Sequence, residues 1–221
     1  MPGFPVFSDS ELMPLIPKPS LRTFQSTGVT LCACLLATCL VLVSATRTAA
    51  QDIVPAAPEI AARAYLLVDA RTGAVLAESN ADEQLPPASL TKLMTGFVLA
   101  SEIAAGRVSR DDVVTVSDNA WSQNPVFNGS SLMWIEPRKP VTIGELERGI
   151  VISSGNDATV AVAEHVAGSE AAFADLMNKH AAELGLSSTY FINSHGLPHP
   201  QHLTTARDLA TSSKAIIERF P

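Results

Sequence analysis

A serine and a lysine three residues apart, in Ser89-Leu90-Thr91-Lys92, are the first side chains that could do chemistry. At the start of a helix, residues i and i+3 project from one face about one turn apart. A neutral lysine amine within reach can take the serine proton and create a nucleophile. This requires a lowered lysine pKa, which burial and the positive end of the helix dipole favour. Alone the pattern is weak, because a serine at a helix start is usually only an N-cap.

A second polar motif, Ser154-Gly155-Asn156, lies between two segments with helical periodicity. At such a break, side chains and backbone can face a cleft. The Ser154 hydroxyl could relay a proton between Lys92, Ser89 and a leaving amine. The Asn156 amide could bind a peptide group of a substrate. The bland alternative is a polar turn between helices, but the two motifs in this order predict acyl transfer more specifically than either one alone.

Three histidines, His195, His199 and His202, are close in sequence, as the imidazole ligands of a zinc site can be. Their segment contains Gly and Pro, and no carboxylate or thiolate accompanies them. We therefore predict histidines that lie at the surface or pack loops, with no metal ion and no cofactor.

The elements in front of the first motif predict a β-hairpin. Two short apolar runs, 65–68 and 74–77, flank a segment rich in turn-forming residues, Asp69 to Gly73. Within that segment, Arg71-Thr72-Gly73 is assigned to turn formation.

The segment that carries the first motif is predicted to be an amphipathic helix. Pro86-Pro87 halts the chain, and apolar residues then recur at helical spacing from Leu90 to Val98. The helix is expected to begin near Ala88 or Ser89.

The stretch from 110 to 139 has poor periodicity and many Ser, Asn, Pro and Gly residues, which predicts mostly a long surface excursion. A short strand is indicated near Val113 to Val116. Trp121, Phe127 and Trp134 could line a peptide groove. We favour the alternative that they anchor the long loop.

Helices dominate the chain after this excursion. Polar N-cap residues mark three helix starts. Residues 153–157 interrupt the first of these helices, which resumes over 158–167. Gly185 closes the next one. The three N-caps are Thr142, Ser169 and Thr205.

Longer segments around the motifs resemble the D-alanyl-D-alanine carboxypeptidases of the low-molecular-mass penicillin-binding type. The resemblance implies that Ser89 is the acylated nucleophile and Lys92 its base. It assigns Ser154 and Asn156 to the family's second motif. It also implies an α+β, β-lactamase/transpeptidase-like fold in which a helical cluster packs on an antiparallel sheet. The similarity covers residues 60–221 through PASLTKLMTGFVLASEI, WSQNPVFNGSSLMW, SSGNDATVAVAEHVAGSEAAFADLMNKHAAELGL and SHGL.

The implied reaction cleaves the bond between the two terminal D-alanines of a peptidoglycan stem peptide, through an acyl-enzyme on Ser89. β-Lactam antibiotics would be trapped at the same serine. Two alternatives stay open. One is an inactive gene fragment or a remnant that only binds. The other is a serine β-lactamase, whose common type has an acidic residue on a loop after the second motif, where 187–193 has none.

The third motif of that family, Lys-Thr/Ser-Gly on a strand that lines the cleft, is absent. After Asn156, Lys179 precedes His180 and Lys214 precedes Ala215. We therefore expect a chain truncated before its C-terminal strands. The missing strand would supply an oxyanion-hole donor, and loss of one such donor costs about 10² to 10³ in rate. Residues 51–221 alone are therefore expected to be inactive.

The front of the chain has the layout of a secretory signal. An uncharged run from Val29 to Ala45 follows Lys18 and Arg22 and precedes small residues. We divide the chain into a signal peptide with its n-region, 1–50, and an incomplete transpeptidase-like domain, 51–221. An uncleaved membrane anchor is the rival interpretation. All three cysteines lie inside the uncharged run, so export brings no disulfide framework to the domain.

The acidic balance of the chain restricts its partners. It has 22 acidic and 15 basic residues, a net charge of −7. Without basic clusters, such a surface argues against nucleic acid as a partner. The partners expected from the resemblance are stem peptides and β-lactams, with a peripheral association with the cytoplasmic membrane through an anchor common in the family.

Export generates the first prediction. Because the uncharged run precedes an acidic domain, the mature protein is expected in the periplasm or elsewhere outside the cytoplasmic membrane, with an N-terminus between about Thr46 and Ile53. Cell fractionation with intact-mass analysis measures both. The full precursor in soluble cytoplasm would contradict the prediction.

Overall fold

The computed structural model describes residues 59–221, so the predicted signal segment lies outside the described residues. Helices in the described part of the chain are too short or too polar to cross a bilayer.

The predicted hairpin is present. Strand β1, Tyr65–Val68, pairs antiparallel with β2, Val75–Ser79. In the turn, the Asp69 carboxylate accepts hydrogen bonds from the backbone N–H groups of Arg71 and Thr72. A carboxylate that binds backbone donors two and three residues ahead stabilises a tight turn. These residues therefore serve the turn, as the sequence predicts.

The helices begin and end close to the predicted positions. Side chains of Thr142, Ser169 and Thr205 accept hydrogen bonds from the backbone N–H three residues ahead, which confirms the three N-caps. The Glu145 carboxylate binds the Thr142 backbone in return, completing the capping box. The helices of the described residues are α1, Lys92–Ala104; α2, Ile143–Ser153; α3, Asn156–Ala167; α4, Glu170–Glu183; and α5, Ala206–Arg219.

The long stretch between α1 and α2 is mostly irregular and exposed, as predicted, and it contains the indicated short strand. Val113–Val114 forms strand β3, which pairs antiparallel with β4, Val141–Thr142. Phe127 is buried and anchors the loop, whereas Trp134 is 71% exposed and does not. Irregular backbone can contribute to the core because its polar groups find partners within the protein.

Two clusters of apolar side chains form the core, and α3 contributes to both. α1 packs against α3 and α4, and α5 packs against α1 and β1. The first cluster joins α2 and α3 to the irregular stretch, and the second fills the space between α1, α4 and α5. The largest fully buried members of the first are Leu99, Phe127, Ile143 and Leu146. Those of the second are Met94, Phe97, Phe173 and Met177.

Two helical glycines give a matched test of this packing. A Cβ on Gly149 would lie 2.2 Å from the Met133 Sδ, whereas a Cβ on Gly96 would meet nothing within 4 Å. Glycine inside a helix costs about 0.5–1 kcal/mol relative to alanine. Gly96→Ala should therefore raise the free energy of unfolding by about that amount.

Gly149→Ala should instead lower the free energy of unfolding by roughly 1–3 kcal/mol, because Met133 must move out of a packed site. Urea unfolding measures both variants against the parent. Equal effects of the two substitutions would contradict the packing described here.

Candidate active site

Ser89 and Lys92 come together in a tight turn at the start of α1. Residues Ala88–Thr91 form a 3₁₀ turn, in which side chains at i and i+3 lie almost directly above one another. The Lys92 Nζ lies 3.3 Å from the Ser89 Oγ. Ala88 has a left-handed φ of 49°, which is uncommon for a residue with a Cβ. The turn leaves Ser89 exposed while its lysine partner is buried.

The amine of Lys92 is held on several sides. Its Nζ donates to the Oδ1 of Asn156 at 2.6 Å and to the backbone oxygen of His195 at 3.0 Å. Only 8% of the Lys92 surface is exposed. Burial lowers the pKa of Lys92 to about 8, and the negative charge of Asp157 raises it part of the way back. The direction predicted from the sequence is therefore confirmed, and the amine loses its proton more readily than that of an ordinary lysine.

The break between α2 and α3 brings Asn156 to the lysine. Ser154 ends α2 in a left-handed conformation with φ of 52°, and α3 begins at Asn156. A Cβ on Gly155 would lie 2.9 Å from the backbone nitrogen of Met133, so the close approach of these segments requires glycine. The side-chain oxygen of Asn156 is used by Lys92, a contact that the sequence reasoning had not assigned.

Ser154 is placed differently from the other predicted site residues. Among the hydrogen bonds of residues 59–221, none joins its hydroxyl to Ser89 or Lys92. The structure thus brings together Ser89, Lys92 and Asn156, and the relay role of Ser154 stays a prediction.

Asp157 is a site residue that the sequence reasoning missed. It is fully buried, and its carboxylate accepts hydrogen bonds from the backbone N–H groups of Met133, Trp134 and Ile135. A fourth N–H, from Ala158, completes the set. One carboxylate therefore fixes the irregular segment beside the second motif. The only sequence signal was its position directly after Asn156.

The histidines pack loops, as predicted, and two of them support the site. His195 is buried with its ring edge-on to Phe127 at 6.0 Å. His202 is buried, and its Nε2 lies 2.8 Å from the Thr91 Oγ1. Burial lowers the pKa of His202 to about 4, so it is neutral at physiological pH. His199 is exposed.

Ser89 opens onto a cleft of about 400 Å³. The cleft is formed by the turn that carries the serine, the segment around Ser130 and Ser131, and the segment that follows His195. Trp121 and Trp134 are not among its lining residues. The arrangement presents an exposed hydroxyl, a buried amine and an open space large enough for a small peptide.

A comparison with known protein families shows which family this site belongs to. The model of the D-alanyl-D-alanine carboxypeptidases, Peptidase_S11, matches residues 51–221. The chain belongs to this family. The matched range contains both motifs and every residue of the cleft, and it agrees with the resemblance seen in the sequence.

Relatives and solved structures agree with this assignment. The chain is 46% identical over 183 residues to D-alanyl-D-alanine carboxypeptidase DacC of Escherichia coli strain K12, which covers 82% of the chain and 46% of the relative. The structure is similar to the crystal structure of penicillin binding protein 6B from Escherichia coli, with a TM-score of 0.71. The two sequences are 45% identical, and the match covers 76% of this chain and 53% of that one.

A more distant match is the ampicillin-bound form of Penicillin-Binding Protein D2 from Listeria monocytogenes, at 27% identity and a TM-score of 0.62. It covers 75% of this chain and 66% of that one. These matches confirm the predicted α+β, transpeptidase-like fold. The chain spans less than half the length of the carboxypeptidase DacC.

The position of the Asn156 oxygen generates a pH prediction. In the parent protein, serine acylation should rise with pH as Lys92 loses its proton, with a midpoint near the pKa of about 8. Asn156→Asp adds a negative charge next to the ammonium and favours its charged form, which moves the midpoint to higher pH. The measurement is the acylation rate by a penicillin from pH 6 to pH 10, in a form of the protein that includes the third-motif strand.

Thermal unfolding over the same pH range is the control for stability. An unchanged midpoint in Asn156→Asp, with both proteins folded throughout, would contradict the assignment of Lys92 as the titrating base.

Proposed function

We propose that the protein is a serine-type D-Ala-D-Ala carboxypeptidase that acts on peptidoglycan stem peptides. Ser89 attacks the carbonyl carbon of the penultimate D-alanine and forms an acyl-enzyme. The bond to the terminal D-alanine breaks, and that residue leaves as the free amino acid. Water then hydrolyses the ester and restores the serine hydroxyl.

In this reaction Lys92 is the base that accepts the Ser89 proton. The neutral form of its amine can do so at 3.3 Å, and the resulting ammonium is stabilised by the Asn156 oxygen. The proton then passes to the leaving amine, which becomes neutral as it departs, with the Ser154 hydroxyl as the proposed relay. The NH₂ group of Asn156 is proposed to bind a carbonyl of the substrate.

One observation carries the proposal: a buried lysine amine with a lowered pKa lies beside an exposed serine hydroxyl that opens onto a cleft. An N-cap serine needs no such partner, and a lysine used only for solubility would extend into water. Membership of the carboxypeptidase family supports the reaction class and the substrate.

β-Lactams are proposed as a second class of ligand at the same serine. They carry a strained amide whose carbonyl can be attacked in place of the peptide, and the ring-opened acyl-enzyme retains the drug. The ampicillin-bound Listeria protein, a relative of the same fold, supports this proposal.

The location is proposed to be outside the cytoplasmic membrane. The signal-like layout of residues 1–50 supports it, and so does a substrate that belongs to the cell wall. A peripheral association with the membrane is a further prediction, which fractionation of salt-washed membranes would test.

Labelling with a fluorescent penicillin tests the nucleophile and the base together. In a form of the protein that includes the third-motif strand, the probe should attach to Ser89. Ser89→Ala should abolish the label, and Lys92→Ala should reduce it below detection, because removal of a general base typically costs about 10² to 10⁴ in rate. Labelling that survives Ser89→Ala would refute the assignment.

Product analysis separates the carboxypeptidase from a β-lactamase. Release of D-alanine from a stem-peptide analogue is the expected activity, with slow or no turnover of a chromogenic cephalosporin. Rapid turnover of the cephalosporin without D-alanine release would favour the β-lactamase instead.

A further inference from the structure

We infer that Glu170, the first residue of α4, is a positioning residue for acylation that acts on Lys92 through the backbone of Ser194 and His195. The inference rests on the proposed function, since it concerns the base of that reaction. Glu170 does not line the cleft and touches neither Ser89 nor Lys92. Its effect must therefore pass through the residues that it binds.

One oxygen of the Glu170 carboxylate contacts two neighbouring residues. Its Oε1 accepts a hydrogen bond from the backbone N–H of Ser194 at 3.0 Å and another from the Ser194 hydroxyl at 2.7 Å. The Nε2 of His195 lies 3.3 Å from the same oxygen. Ser194 is fully buried and His195 almost so. Hydrogen bonds to an ionised acceptor are stronger than neutral ones, so this contact fixes the segment firmly.

The same two residues turn their carbonyl groups toward α1. The Ser194 oxygen accepts from the Thr95 hydroxyl at 2.5 Å, and the His195 oxygen accepts from the Lys92 amine at 3.0 Å. Thr95 lies three residues after Lys92, about one turn further along α1, and is fully buried. A two-residue segment thus has donors bound by Glu170 on one side and acceptors bound by α1 on the other.

The next residue leaves this segment no room to shift. Gly196 has a left-handed φ of 92°, and a Cβ on it would lie 1.9 Å from the backbone oxygen of Ala88. Ala88 directly precedes the nucleophile. A displacement of residues 194–196 would therefore be transmitted both to the lysine amine and to the turn that carries Ser89.

An acidic residue in the first turn of a helix has an ordinary explanation, because it complements the helix dipole. That explanation concerns the stability of α4 and predicts no effect on the rate of a folded molecule. The positioning role makes a different prediction, since a misplacement of about 1 Å in a reacting group can cost roughly 100-fold in rate. The two are separated by measuring the folded fraction and the rate in one experiment.

The experiment is a time course of labelling by a fluorescent penicillin, in a form of the protein that includes the third-motif strand. The amplitude of labelling reports the folded fraction, and the rate constant reports the geometry of the site. Glu170→Ala removes the acceptor and should lower the rate constant by roughly 10- to 100-fold. Glu170→Gln keeps a side-chain oxygen at the same position and should restore the rate constant to within about 3-fold of the parent.

A second variant keeps the test decisive if the alanine protein does not fold. Glu170→Asp retains the charge but draws the carboxylate back from Ser194, so its rate constant should fall although the dipole contribution is kept. Glu183→Ala is the matched control, because Glu183 lies at the other end of α4 and is exposed to solvent. It should label at the parental rate.

Rate constants equal to the parent in both Glu170→Asp and Glu170→Gln, or a Gln variant as slow as Asp, would overturn the inference. A lower amplitude with a parental rate constant in Glu170→Ala would also overturn it, since only stability would then have changed. Ser89→Ala, labelled in parallel, tests the proposed function separately from the role of Glu170. If it still labels, the nucleophile is misassigned. If it does not, the Glu170 variants test positioning alone.

Discussion

The burial of the Lys92 amine is the constraint on which the rest of the site depends. An ammonium removed from water must find hydrogen-bond acceptors or lose its proton. Here the acceptors come from Asn156 and from the backbone of His195, and the proton is held weakly because the surroundings disfavour the charge. Two distant segments must therefore reach one atom, and the fold is organised so that they do.

Each of those segments is itself held by a carboxylate that accepts hydrogen bonds from backbone N–H groups. The fully buried Asp157 carboxylate accepts hydrogen bonds from the backbone N–H groups of residues 133–135. These hydrogen bonds fix the loop beside the second motif. Glu170 does the same for the segment around His195. Both carboxylates satisfy backbone donors that burial or close packing would otherwise leave without partners. The supporting contacts are therefore needed by the fold as well as by the site.

The same arrangement explains what could be predicted from the sequence. The hairpin and the N-caps follow from local rules, in which partners lie within a few residues of each other. The Ser89–Lys92 pair is local in the same sense. The direction of the Lys92 pKa shift was predictable because partial burial and the positive end of the helix dipole both disfavour a charged amine at the start of a helix.

What could not be predicted depends on contacts between distant residues. The burial of Phe127 and the exposure of Trp134 are decided by where the irregular stretch meets α3, which composition does not reveal. The use of the Asn156 oxygen by the lysine was missed for the same reason. Glu170 was missed because its partner, Ser194, lies on a separate segment, and an acidic residue after an N-cap already has a local explanation.

The central claim is that Lys92 is a buried amine with a lowered pKa, and its titration can be observed directly. Carbon-13 labelling of the lysine ε positions, with the Lys92 signal identified by its loss in Lys92→Arg, allows the titration to be followed by NMR without any ligand. The expected midpoint is about 8. A midpoint at the ordinary lysine value of 10.5 would mean that almost none of the amine is neutral at physiological pH, and would contradict its role as the base.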